Sequence, residues 1–84
     1  MTAFSAAPSV LIRAARGSDG EALVRLADLD SARVPAGDLI VAETEGSLIA
    51  AHSPAARASI ADPFRPTADV VHLLEMRGAM MRAA

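Results

Sequence analysis

His52 and His72 are the only imidazoles in this chain of 84 residues, and cysteine is absent, so proton transfer and metal binding have few side chains to draw on. Histidine is the usual proton shuttle near neutral pH. An isolated one at the end of an apolar run, as His52 is, or on a helix, as His72 is, reads as a surface or interface residue. Asp69 and His72, three apart, would share one face of a helix. No third ligand stands at a metal-binding spacing, and the pair reads as a helix-surface contact. Ser18, Ser31, Ser47, Ser53 and Ser59 fall in no nucleophile elbow, and their positions nominate no Ser-His-Asp set. Without cysteine there are no disulfides, thiolate ligands or thiol nucleophiles. The residues alone therefore nominate no catalytic, cofactor-binding or metal-binding position, and no cofactor.

Composition narrows the partners. The eight basic residues are all arginine, at 13, 16, 25, 33, 57, 65, 77 and 82, within a net charge of −2. Nucleic-acid binding by counterion release wants a dense basic stripe and stacking aromatics. The arginines are scattered, and two phenylalanines are the only aromatics besides the histidines, so nucleic acid is not expected as a partner. No stretch reaches the roughly 18–20 apolar residues of a membrane span. Met1 to Ser9 lacks the basic start of a signal peptide, and the cytoplasm is the expected location. A chain of this length makes one small domain that buries only about 60% of its unfolded surface, so a partner surface would help it.

The elements that would position any site follow from punctuation and periodicity. Residues 1–9 read as a flexible tail and 10–84 as the folded domain. Val10 to Arg16 is a first strand ended by Gly17. Ser18-Asp19-Gly20-Glu21 fits a capping box opening a helix over 19–30, whose stripe is Ala22, Leu23, Leu26, Ala27 and Leu29. Asp38 to Ala51 reads as a hairpin turning at Glu45-Gly46. It is apolar on both faces, with Leu39, Val41, Leu48 and Ala50 against Ile40, Ala42, Ile49 and Ala51, so both sides of the sheet should be covered. After a turn at Ser53 to Ala56, Arg57 to Ala61 is a weak outer strand. Asp62-Pro63-Phe64-Arg65-Pro66 is a stiff connector, with Phe64 expected in the core and Asp62 paired with Arg65.

Thr67 caps a final helix over 67–83, with Val70, Leu73, Leu74 and Met81 inward and Gly78 a weak point or a close-packing site. Met76, Met80 and Met81 serve equally as core filler or as an adaptable partner surface. The fold class expected is α+β, a four-stranded, mostly antiparallel sheet in the order β-α-β-β-β-α with its two helices on opposite faces. The 57–61 edge has only Arg57 and Asp62 at its ends to discourage pairing. A homodimer through that edge, the 67–83 helix or both is the expected assembly, with another protein as the alternative partner.

This order, with Ile12-Arg13-Ala14-Ala15 ending the first strand and the hairpin Val41-Ala42-Glu43-Thr44-Glu45-Gly46-Ser47-Leu48-Ile49-Ala50, resembles the N-terminal half of the GNAT-type N-acetyltransferases across residues 10–61. The resemblance implies a truncated fold of that kind and places Glu43 near the family's general base. Read from the residues alone, Glu43 is a strand-end carboxylate beside a turn. In the family a loop of the form Arg/Gln-x-x-Gly-x-Gly/Ala binds the acetyl-CoA pyrophosphate at a helix N-terminus. Here Arg65-Pro66-Thr67-Ala68-Asp69-Val70 keeps the Arg but has Ala68 and Val70 for the glycines. Pro66 lacks an amide hydrogen and Asp69 adds a negative charge. The resemblance thus implies a non-catalytic acetyltransferase-like domain acting by self-association or through a protein. The rival is an N-acetyltransferase fragment completed by another chain.

Overall fold

The computed structural model describes residues 9–83. Its elements are β1 (Leu11–Ala14), a single 3-10 turn (Gly17–Asp19), α1 (Gly20–Leu29), β2 (Ile40–Thr44), β3 (Ser47–Ser53), β4 (Ala58–Ala61) and α2 (Ala68–Ala83). The four strands form one antiparallel sheet in the order β1-β2-β3-β4. The α+β class and the element order expected from the sequence are found; the tail over residues 1–8 lies outside the described residues.

The β2–β3 turn is Glu45-Gly46, with φ of 51° and 82°. Two successive positive φ values match the right-handed strand twist, and glycine takes the second at no steric cost. The helices lie on opposite faces, as the doubly apolar hairpin requires. On one, Leu23, Leu26 and Ala27 of α1 pack on Leu39, Val41, Ala51 and Ile60. On the other, Leu74 of α2 packs on Ile40, Ala42, Ile49 and Ala50.

One pair of residues departs from the expected alternation: Ala50 belongs to the α2 face and Ala51 to the α1 face. The register explains it. Ala42 stands opposite Ala50 while Glu43 stands opposite Leu48, so Ile49 is an extra residue in β3. A bulge interrupts the period of two, and every residue beyond it on β3 changes face.

Three further expectations are corrected. Ser18 is not a cap. The turn before α1 is held instead by Asp19, whose carboxylate accepts the Arg16 amide at 2.6 Å, while the Asp19 amide donates to the Arg16 carbonyl at 2.9 Å. Aspartate reaches its own preceding turn more readily than Ser18, which is exposed. Phe64 is 81% exposed, because the prolines on either side hold the connector away from the sheet. In α2, only Leu74 and Gly78 are buried; Leu73 and Met81 are about half exposed and Val70 partly buried.

The 57–61 edge is also better protected than its sequence implies. The amide of Ala61 points away from β3, since its neighbour Asp62 donates to Ile49. Asp30, at the end of α1, accepts that amide at 3.1 Å. Helix α1 ends in a Schellman motif, with Ala32 donating to Ala27 and Ser31 to Asp28, and this closing turn places Asp30 over the edge.

Candidate functional site

The strongest polar cluster grows from Arg13. In the β1–β2 register Arg13 stands opposite Val41, which packs under α1, so the pleat sends its side chain to the α1 face. An arginine there needs counter-charges, and it has two. Its Nη1 and Nη2 donate to the two carboxylate oxygens of Asp19 at 2.8 and 3.0 Å, a bidentate pair. Its Nε donates to Glu43 at 2.6 Å. Only 14% of the Arg13 side chain and 10% of that of Asp19 is exposed. The Arg13 guanidinium, with the Arg16 amide second, holds the Asp19 carboxyl down at about 2. The two carboxylates raise the Arg13 pKa above its usual value in turn.

This cluster joins β1, the turn that opens α1 six residues on, and the β2–β3 hairpin thirty residues away. Glu43 is accordingly an ion-pair acceptor, one of its carboxylate oxygens taking the Arg13 Nε. The sequence reading missed the role of Arg13. The signal was present: a charge set among Leu11, Ile12 and Ala14 in a strand is costly unless paired.

A groove of about 410 Å³ opens beside the cluster, floored by Leu26, Leu29 and Leu48, with Arg25, Arg65 and Asp62 at its rim. Asp62 and Arg65 lie 3.5 Å apart, the pair that the connector's spacing implies. The rest of the loop likened to the pyrophosphate-binding one runs through exposed Pro66, buried Thr67 and the first turn of α2. Thr67 stands at the N-cap position, its carbonyl accepting the Val71 amide at 2.8 Å.

The second cluster surrounds His52, which the sequence reads as a surface or interface residue and which is buried between the sheet and α2. It is 3% exposed and faces α2 because the β3–β4 register sets it opposite Ser59. Its Nδ1 lies 2.8 Å from the Ser59 Oγ, which donates to Glu75 of α2 at 3.4 Å. The Ser59 hydroxyl thus lies between the imidazole and the Glu75 carboxylate. The ring's Nε2 has no hydrogen-bond partner among the described residues. That atom sits in a notch at Gly78, where a Cβ would lie 2.6 Å away. Gly78 is thus the close-packing site.

Ser59, His52 and Glu75 come as near to a nucleophile–base arrangement as this chain offers. It lacks the third member of such a set: no group orients the Nε2 side of the ring among the described residues. Ser53 is spent as a staple, accepting the Ala56 amide and donating to the Ala36 carbonyl. Ser18, Ser31 and Ser47 are exposed, as are Asp69 and His72. Among the described residues no group of three His, Asp or Glu is placed to hold a metal, and no helix is long and apolar enough to cross a membrane.

No protein-family model, curated protein or solved structure matches this chain.

Proposed function

We propose that this chain is a non-catalytic, acetyltransferase-like domain that works by self-association or through a protein partner. One observation carries the reading: Glu43 and His52 are engaged within the fold and His72 stands alone at the surface, while an apolar helix face is left to solvent. Glu43 is bound to Arg13 and His52 is sealed under α2. Leu73, Met76 and Met80 on α2 are at least half exposed. The acetyltransferase-like part of the reading rests on the strand order β1-β2-β3-β4 following the Ile-Arg-x-Ala strand and the Glu43-to-Leu48 hairpin.

The non-catalytic part rests further on the Arg65-to-Val70 segment. Close approach of a pyrophosphate to backbone amides favours glycine and disfavours a neighbouring carboxylate. Ala68, Val70, Pro66 and Asp69 oppose it on each count. Isothermal calorimetry with acetyl-CoA tests this. The expected outcome is no binding with a dissociation constant below about 10 µM, equivalent to roughly −7 kcal/mol. Tighter binding would overturn the reading in favour of an acyltransferase fragment.

A further inference from the structure

Among the described residues, the His52 Nε2 is the buried side-chain nitrogen or oxygen that lacks a hydrogen-bond partner. Such a group is costly to keep, and folded proteins hold few of them. Helix α2 seals it. A Cβ at Gly78 would lie 2.6 Å from Nε2 and 2.7 Å from the adjacent ring carbon, so the helix backbone leaves no room there for a bridging water. The ring's other nitrogen lies 2.8 Å from the Ser59 Oγ, and that hydroxyl lies 3.4 Å from the Glu75 carboxylate. Helix α2 is thus seated on a titratable ring with one nitrogen partnered and one not.

We propose that His52 makes the seating of α2 a pH-sensitive latch: the helix is docked while the ring is neutral and is released from the sheet when the imidazole is protonated. An imidazolium carries a proton on each nitrogen. Ser59 can accept the one on Nδ1, but the one on Nε2 meets only the notch at Gly78. An unpaired charged donor in an interior costs more than an unpaired neutral atom. The charges on the elements around the ring do not reverse this. β2 sets Ile40 opposite His52 and β4 sets Ser59 there, and neither titrates. From α2, Glu75 reaches the ring only through the Ser59 hydroxyl and stands in water, which screens it. Arg82, one turn beyond Gly78, donates to the Pro54 carbonyl at 3.2 Å and brings a second positive charge to this end. Once α2 lifts, both ring nitrogens meet water, so the released state is the one that takes the proton. Docking is therefore fullest above the imidazole range and is lost as pH falls through it. Release would bare Ile40, Ala42, Ile49 and Ala50, the sheet face that Leu74 covers.

Amide exchange on the whole chain tests the latch, read as protection factors at about pH 7.5 and about pH 5.5, either side of the imidazole range. Residues 68–83 should lose about tenfold in protection at the lower pH, while residues 20–29 of α1 keep theirs. His52→Leu puts an apolar side chain that cannot titrate in the same place and should hold α2 equally at both values. His72→Gln removes the other, exposed imidazole and should behave as the parent protein does. Equal α2 protection at the two values in the parent overturns the proposal, as does a loss shared equally by α1. The same loss in His52→Leu, or its disappearance in His72→Gln, also overturns it. If His52→Leu does not fold, the His52 ring resonances of the parent decide. Titration in step with the loss of α2 protection supports the latch, and titration with α2 still protected overturns it.

Discussion

On the α1 side of the sheet an amphipathic helix is fastened by ion pairs; on the α2 side a helix apolar on two faces is fastened by shape. Helix α1 presents Leu23, Leu26 and Ala27 to the core, and the Arg13–Asp19 pair pins its start to β1. Asp30 pins its end to β4. Helix α2 commits one large buried side chain, Leu74, and lets the imidazole of His52 enter the notch at Gly78. The charged attachments tolerate helix ends that move by fractions of an ångström. The notch does not, because close-packed interiors resist added volume. The contrast shows how a core poor in aromatics can seat a helix: small residues bring it close, and its remaining apolar side chains are left for something else.

Removing the anchor of the α2 side should cost most. Leu74→Ala empties a fully buried position. It should destabilise the domain by about 2–5 kcal/mol in chemical denaturation. Amide exchange should rise first in residues 68–83, with α1 still protected, if the two faces are as separable as their attachments imply. Uniform loss of protection would break the comparison.

Gly78→Ala should cost about 1–3 kcal/mol by overpacking, despite alanine's better helix propensity. The added Cβ would meet the ring of His52 at 2.6 Å. Pairing it with His52→Ala should recover most of that loss in a double-mutant cycle. An additive double mutant would show that the notch is not what locks α2.

The smallest effect belongs to the α1 side, whose attachment is partly open to water. Asp19→Asn should lower the Tm by about 4–8 °C at pH 7. The sign of its pH dependence follows from the carboxyl's depressed pKa. The Arg13–Asp19 contribution is fully present above the ordinary carboxylate pKa of 3.8 and is lost as pH falls toward about 2. The parent protein should therefore lose stability between those values by more than Asp19→Asn does, and parallel acid curves would sink the assignment. Ser18→Ala should stay within about 0.5 kcal/mol of the parent, since that hydroxyl caps nothing.

Local signals set a good part of this fold. The doubly apolar hairpin requires helices on both faces, and the Glu45-Gly46 turn and the proline-bounded connector bound its elements. Such features depend on neighbours a few residues away, where periodicity and backbone preference are decisive.

The tertiary structure decided what depends on register and on contacts distant in sequence. A single bulge at Ile49 moved Ala50 and Ala51 to faces that strict alternation does not assign them. The pairing of Arg13 with Glu43, thirty residues away, and of Ala61 with Asp30, thirty-one away, has no local signature. The burial of His52 against Gly78 and Ser59 follows from which strand lies beside β3 and how closely α2 approaches, so a residue that reads as exposed became part of the core. A sequence states which side chains can be buried or paired; only the assembled sheet and helices determine which partner reaches each one.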